Sequence, residues 1–161
     1  YEITYGDWSS DVCSSDLELE QKLYARYPKL FAQKDLPCNL TNMCYGCCVG
    51  DGWYDILDAL SWSIQNHVDY KQRQDPEYKQ VEYAQIKEKF GGLRVYTDGN
   101  DETVFALIGL AESMANRTCE GCGKSGKNRS WGGWYMTYCD TCAEEYRKKS
   151  GKQEDKDDEE G

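Results

Sequence analysis

Two Cys-x-x-Cys pairs, separated by sixteen residues, place the tightest constraint on the fold of this chain of 161 residues. Each pair forms a short turn that aims two thiolates at one point, and two such turns supply the four tetrahedral ligands that zinc prefers. The predicted ligands are Cys119, Cys122, Cys139 and Cys142. Because four protein ligands close the coordination shell of zinc, the spacing predicts a structural metal with no open position for a substrate.

The first residues of the chain carry no information about the fold. Asp7 to Leu17 reads DWSSDVCSSDL, which matches the in-frame translation of a common sequencing adapter over eleven consecutive residues. A match of that length does not arise by chance. We therefore interpret residues 1–17 as an adapter-derived artefact, to be set aside from fold prediction as an expression tag would be.

The negative charge of the chain is concentrated at its ends. The formal net charge is −10, but residues 1–17 hold four acidic side chains and no basic one, and residues 151–161 hold six acidic side chains and two lysines. The remaining residues, 18–150, therefore carry a net charge of only −2. Because residues 18–150 are nearly neutral as a whole, a local basic patch there can still attract an anionic partner.

Hydrophobic periodicity predicts three helical segments in an α+β domain at residues 18–117. Residues 17–34 show a helical stripe that Pro28 interrupts. Residues 51–68 follow the 3.6-residue repeat most closely, and residues 104–115 form a third amphipathic segment.

A β-hairpin is predicted between the last two helices. Two strand-like segments, 81–90 and 93–97, flank Gly91-Gly92, a dipeptide that accepts the positive φ angles of a tight turn. The predicted fold class is therefore α+β, with helices packed on a small antiparallel sheet.

The C-terminal part of the chain is predicted to form a separate unit. Residues 118–149 hold the four cysteines and are predicted to fold as a zinc ribbon or a treble-clef module. Residues 150–161 contain no apolar side chain that a core could bury, so a disordered acidic tail is predicted there.

Four further cysteines lie in a predicted loop at residues 36–52. Cys44 and Cys47 have the spacing of a zinc knuckle, and either Cys38 or Cys48 could complete a second zinc site with them. The alternative is that these residues are buried thiols that act as small apolar groups. Since the sequence shows no obvious disulfide framework, it predicts a reducing, cytoplasmic location.

Basic and aromatic side chains on the predicted hairpin form a candidate ligand site. Strand alternation places Lys87 and Lys89 on one face, and antiparallel pairing can bring Arg94 or Tyr96 opposite them. Such a cluster beside a Gly-Gly turn could hold a phosphate or another anion, since glycine allows close approach of the backbone. The alternative is a solvated strand face whose charge is partly neutralised by neighbouring glutamates.

Two other functional classes have support in the sequence. A nucleic-acid-binding zinc regulator would bind through basic and aromatic side chains of the zinc module, and its binding would be sensitive to salt. These side chains are Lys124, Lys127, Arg129, Trp131 and Trp134. A metal-dependent nuclease or nucleotide hydrolase would use Asp51, Asp55 and Asp58, which share one helix face. Helix capping and a solvated face also explain these aspartates. His67 lacks the His-x-Glu context of zinc deaminases and is predicted to lie on the helix surface.

Five segments spread over residues 23–142 carry a combined signature: YPKLF, GDGWYDIL, IKEKFGGLRVY, GLAESMANRTCEGCG and GGWYMTYCDTC. Together they resemble a family of small uncharacterised proteins common in phages and prophages. The resemblance implies the zinc knuckles and a phage origin, but no activity. It also favours GDGWYDIL and KEKFGGLR as neighbours that form a site, which adds Trp53 and Tyr54 to the candidate ligand-binding residues. Cys47-Cys48 departs from the loop pattern of that family.

The sequence thus favours a non-enzymatic phage accessory protein that acts by binding in the cytoplasm of an infected bacterial host. Its predicted form is counter-defence, in which the protein sequesters a nucleotide immune signal or a host immune protein. No membrane partner is predicted, because the longest apolar run, at residues 104–111, is far shorter than the about 20 residues that span a bilayer.

Overall fold

The computed structural model describes residues 17–155, which form an α+β fold. Its four α-helices are α1 (Leu17–Arg26), α2 (Tyr54–Gln74), α3 (Glu102–Ala115) and α4 (Asp140–Ser150). Its five strands are β1 (Cys47–Cys48), β2 (Glu82–Lys89), β3 (Gly92–Asp98), β4 (Lys127–Trp131) and β5 (Trp134–Tyr138). The predicted adapter-derived segment lies outside the described residues except for Leu17, and so does the end of the predicted tail, residues 156–161.

The predicted helices are present, and two prolines limit their length. α1 ends at Arg26, two residues before Pro28, and a 3₁₀ turn at Ala32–Asp35 follows. α2 begins after a 3₁₀ turn at Asp51–Trp53 and runs to Gln74, beyond the predicted end at residue 68. It stops there because a residue that precedes proline, here Asp75, disfavours helical backbone angles.

The larger sheet is mixed, so the prediction of a purely antiparallel sheet is wrong. β2 and β3 form the predicted antiparallel hairpin, but β1 pairs with β2 in parallel, with Cys47 opposite Ile86. A strand of two residues is too short for hydrophobic periodicity to reveal it. β4 and β5 form a separate antiparallel pair in the cysteine-rich part of the chain.

The turn of the β2–β3 hairpin lies one residue earlier than predicted. Lys89 pairs with Gly92, so the residues with positive φ are Phe90 (55°) and Gly91 (75°). Gly92 instead opens β3, where a Cβ atom would lie 3.1 Å from Asn116 Oδ1. Phenylalanine is unfavourable at positive φ, so contacts elsewhere must compensate for its conformation.

Buried apolar residues fall into two clusters. The larger cluster joins α1, α2 and α3 to the mixed sheet, and its largest fully buried members are Trp53, Tyr83, Phe31, Leu30, Met43, Leu57, Ile64 and Ile86. Inside it the hydroxyl groups of Ser61 and Tyr83 are hydrogen-bonded at 2.9 Å, which satisfies both buried polar atoms. The smaller cluster lies in the C-terminal part and contains Trp131, Met136 and Ala143.

Asp101 ties α3 to α2 and to the segment before β2. Its carboxylate accepts the N-cap hydrogen bond from Val104 N (3.0 Å) and further bonds from the Tyr78 hydroxyl (2.8 Å) and His67 Nε2 (2.7 Å). The His67 side chain is only 13% exposed, so its predicted position on the open helix surface is wrong. Burial alone would raise the pKa of Asp101, but these bonds outweigh it and hold that pKa well below its usual range.

Asp101→Asn should lower the free energy of unfolding by about 1–2 kcal/mol at pH 7, because an amide still caps the helix but loses the charged acceptor. A carboxyl whose pKa is depressed by folding stabilises the protein above its unfolded pKa of about 4, and this contribution is lost as the pH falls toward the folded value. Urea denaturation at pH 7 and at pH 3 should therefore show a smaller difference between variant and wild type at pH 3.

The control for this prediction is Glu102→Gln, which neutralises the exposed carboxylate next to Asp101. That variant should change stability by only a few tenths of a kcal/mol, the size of a helix-dipole effect. A difference between Asp101→Asn and wild type that stays constant from pH 7 to pH 3 would contradict the role given to the carboxylate.

Candidate metal centre

The two Cys-x-x-Cys pairs converge on one point, as the sequence predicts. Cys119 and Cys122 form a knuckle after α3, closed by a hydrogen bond from Gly123 N to Cys119 O of 2.8 Å. Cys139 is the N-cap of α4 and Cys142 lies in its first turn. The four Sγ atoms all lie within 4.8 Å of one another.

These sulfur positions fit a tetrahedral metal. Four ligands at the usual zinc–sulfur bond length lie about 3.8 Å apart, and the Sγ atoms of Cys122 and Cys139 are separated by 3.6 Å. Cys119 is fully buried and Cys122 is exposed, so the centre lies at the surface with one side covered by protein. Among the described residues, this is the one group of metal-binding side chains close enough to share an ion.

The protonation of these thiols also favours a cation. The N–H of Cys142, in the first turn of α4, donates to Cys139 Sγ (3.5 Å) and lowers the pKa of Cys139 to about 7. Burial raises the pKa of Cys119 and that of Cys142. Bringing four sulfurs together as thiolates therefore requires a positive charge between them, which a divalent metal supplies.

The knuckle is fixed by the segment that precedes α2. Gly52 N donates to Glu120 O (2.7 Å), Gly50 N donates to the Glu120 carboxylate (3.0 Å), and the indole of Trp53 donates to Thr118 O (2.8 Å). Glu120 lies between the two knuckle cysteines, and burial raises its pKa to about 7. The GDGW segment, Gly50 to Trp53, therefore holds the four-cysteine cluster against the large hydrophobic core.

The tip of the β2–β3 hairpin docks on the other side of the cysteine-rich part. The Asn128 side chain donates to Phe90 O (3.0 Å), and the Thr137 hydroxyl donates to Gly91 O (2.6 Å). A Cβ atom on Gly91 would lie 2.2 Å from Asn128 Nδ2. The Phe90 and Tyr135 rings meet edge to face at 6.3 Å. These contacts compensate for the positive φ of Phe90.

The structure brings only part of the predicted hairpin site together. Lys87 pairs with Arg94 across the strands, and its ammonium group lies 5.5 Å from the centre of the Tyr96 ring. Arg94 donates to Leu93 O and lies 3.9 Å from a carboxylate oxygen of Glu112, which offsets its charge. The ammonium group of Lys89 instead lies 5.5 Å from the centre of the Phe90 ring, at the docked tip.

The two residues added by the family resemblance lie apart from the basic face of the hairpin. Trp53 is fully buried, so its ring packs in the core and offers no surface to a ligand. Tyr54 lines a cleft beside the knuckle, together with Asp51, Asp55 and Cys122. That cleft is lined by none of the four predicted ligand residues on the hairpin, Lys87, Lys89, Arg94 and Tyr96.

The second zinc site that the spacing of Cys44 and Cys47 allowed is not formed. A disulfide joins Cys38 to Cys44, with their Cα atoms 5.3 Å apart, so neither sulfur is available as a thiolate ligand. This pairing also contradicts the expectation that these cysteines form no disulfide. The spacing of the cysteines does not indicate this disulfide, because the loop brings the two residues together through its own 3₁₀ turn at Asn42–Tyr45.

The three aspartates of the predicted hydrolase site do not gather around a common point. Asp58 is occupied by Arg26 Nη1 (2.8 Å) and the Tyr27 hydroxyl (2.9 Å). Asp51 and Asp55 border the cleft beside the knuckle, but these carboxylates form no metal-binding group in the part of the chain that the structure describes.

The residues predicted to bind nucleic acid are divided between the core and the surface of the protein. Trp131 is 1% exposed and packs with Tyr138 and Tyr146, so it belongs to the small core. Arg129 is also buried and is bonded to Asp140 and Glu154. Trp134 is 56% exposed and remains accessible. The contacts of Glu154 were not foreseen, since its segment was predicted to be disordered.

Comparison with known proteins gives no relative: no family model, no curated protein and no solved structure matches this chain. The resemblance to phage proteins and the predicted cytoplasmic location therefore stay predictions. Within residues 17–155, no helix combines the length and apolar character that crossing a membrane requires.

Proposed function

We propose that this chain is a zinc-binding protein that acts by non-covalent binding and has no catalytic step. The observation that carries the proposal is the composition of the metal centre, in which four cysteine sulfurs lie within 4.8 Å of one another. Zinc bound there would neutralise the thiolates and cross-link the knuckle to α4, with its coordination shell closed by protein. A metal in such a site organises the fold and offers no position for a substrate.

The local architecture favours a treble clef over a zinc ribbon. The chain runs from the knuckle through the β4–β5 hairpin into α4, and α4 supplies the second pair of cysteines from its N-cap and first turn. In a ribbon, a second knuckle on a hairpin would take the place of this helix.

Native mass spectrometry of the protein purified from a bacterial lysate tests this proposal. We expect one zinc ion per chain, and a variant with Cys119→Ser and Cys139→Ser together should retain none. Zinc-loaded protein that hydrolyses nucleotides or nucleic acid, with turnover lost in Asp55→Ala, would contradict the absence of catalysis. A wild-type chain whose C-terminal module is folded without bound metal would contradict the zinc site itself.

The ligand that we propose is the one the sequence favours, a nucleotide signal or a host immune protein, in a phage accessory role. Support for a nucleotide comes from the basic and aromatic groups that remain at the surface, Lys87 beside Tyr96 and Trp134 on the zinc module. The same native spectra would reveal a co-purified nucleotide as a further mass increment.

A further inference from the structure

The turn between β4 and β5 binds two carboxylates of the chain's own C-terminal tail. The backbone N–H groups of Gly132 and Gly133 donate to the Asp155 carboxylate at 2.9 and 3.2 Å, and the Ser130 hydroxyl donates to the same group. Arg129 Nη1 donates to both oxygens of Glu154, at 3.1 and 3.0 Å. Two adjacent anions are thus bound side by side.

These donors are also held in position by contacts that do not involve the tail. The Arg129 side chain is only 7% exposed and is held in place from behind, because its Nε donates to Tyr138 O (3.1 Å) and its Nη2 to Asp140. Gly132 and Gly133 have φ angles of 63° and 80°, and with these angles their N–H groups point to one side of the turn, a backbone arrangement that binds anions. The donors also hold the pKa of the Asp155 carboxyl below its usual range.

We propose that Arg129, Ser130 and the Gly132-Gly133 turn form a binding site for the phosphate groups of a nucleotide or single-stranded nucleic acid. Glu154 and Asp155 occupy this site as an intramolecular competitor. The inference deepens the proposed function, because it names where an anionic ligand of this binding protein would be held.

Two features favour phosphate over an acidic peptide, since a guanidinium group and backbone N–H groups by themselves bind carboxylate and phosphate oxygens alike. Trp134, next to the turn, exposes 56% of its surface and offers a ring on which a base can stack. A cleft of about 350 Å³ is lined by Lys127 together with Arg129 and Asp140, so a second cation lies near the guanidinium group.

The tail can compete effectively because it is attached next to the site. α4 ends at Ser150, so Glu154 follows the last helical residue by four positions. A short tether of this kind gives an effective concentration in the millimolar range. Removing the two carboxylates should therefore raise the affinity for an external phosphate without any new contact to the ligand.

Fluorescence anisotropy with a fluorescein-labelled oligothymidylate tests the inference on zinc-loaded, full-length protein. Glu154→Gln with Asp155→Asn should tighten binding of this probe by about tenfold or more, because both charge-assisted contacts of the competing tail are weakened. The matched control is Asp157→Asn with Asp158→Asn, which removes the same charge from the same tail and should tighten binding much less. Trp134→Ala should then weaken binding of the oligothymidylate but not that of inorganic pyrophosphate.

Several outcomes would overturn the inference, and others identify the source of the phosphate. If both tail variants tightened probe binding equally, the cause would be the long-range charge of the tail and not occupation of the site. If neither variant tightened binding, the tail would not compete with the probe. Binding of an acidic peptide in place of the oligothymidylate would reject phosphate as the ligand. Displacement of the probe by ATP at similar affinity would identify a mononucleotide, and no displacement would identify a single strand.

Failure of this inference can be told apart from failure of the proposed function. Zinc content and a co-purified ligand are measured by mass spectrometry, independently of the tail. If the tail variants have no effect while the protein retains one zinc and a ligand, the proposed function stands and the ligand binds elsewhere.

Discussion

Removal of the zinc that we propose at the four cysteines is expected to unfold the C-terminal module, which comprises β4, β5 and α4. Only Trp131, Met136 and Ala143 are buried in its own core, and a unit of this size does not bury enough apolar surface to fold alone. A structural zinc contributes about 10–16 kcal/mol of binding free energy, which becomes folding free energy because the site does not exist in the unfolded chain. Addition of EDTA should therefore reduce the near-ultraviolet circular dichroism, because Trp131 loses its packed environment, and excess zinc should restore the lost part.

The large core should survive this treatment in weakened form. The module supplies the contacts of Asn128 and Thr137 to the hairpin tip, and without them Phe90 loses the compensation for its positive φ. We expect the remaining unfolding transition to shift to lower temperature, as measured by far-ultraviolet circular dichroism.

Cys119→Ser should reproduce the effect of EDTA, since a neutral hydroxyl replaces a thiolate ligand. The control is Cys48→Ser, which changes a half-buried cysteine outside the four-cysteine cluster. This variant should leave the zinc content and the near-ultraviolet circular dichroism unchanged. A metal-free protein with the near-ultraviolet spectrum and melting temperature of the zinc form would show that the metal has no structural role.

Gly52→Ala is expected to destabilise the protein by about 3 kcal/mol or more, at the upper end of what overpacking usually costs. A Cβ atom at this position would lie 2.1 Å from Cys119 O and 2.5 Å from Gly123 N. Both are backbone atoms of the knuckle, so no side-chain rotation can relieve the clash. The knuckle would have to move, and this movement would also displace its two cysteine ligands. We therefore expect a lower midpoint of urea unfolding and weaker retention of zinc.

The matched control is Gly109→Ala in α3, where a Cβ atom would meet no other atom within 4 Å. Alanine at an unobstructed position inside a helix should stabilise the protein by about 0.5–1 kcal/mol. The two substitutions are chemically identical and have opposite expected signs. If Gly52→Ala were as stable as wild type, the close packing of the GDGW segment on the knuckle would be wrong.

Much of the fold and the metal centre could be predicted because the signals are local. The apolar repeat of α2, the alternation around Gly91 and the spacing of the four cysteines each lie within a short stretch of chain. The predicted ligand site was less successful, because Arg94 of the hairpin is paired with Glu112 and Trp53, which the family resemblance added, lies in the core. Neither the ion pair nor the burial could be predicted from local patterns, since both depend on residues that are distant in sequence.

The sequence by itself determined the helices, the hairpin and the four sulfur ligands, because periodicity and short spacings act through backbone geometry within a few residues. Only the tertiary structure decided which distant segments of the chain contact one another. It placed β1 parallel to β2, docked the GDGW segment and the hairpin tip on the cysteine-rich C-terminal part, and brought Glu154 and Asp155 to the β4–β5 turn. Each of these contacts depends on the final packing of distant elements, which determines the hydrogen-bond donors and acceptors that meet.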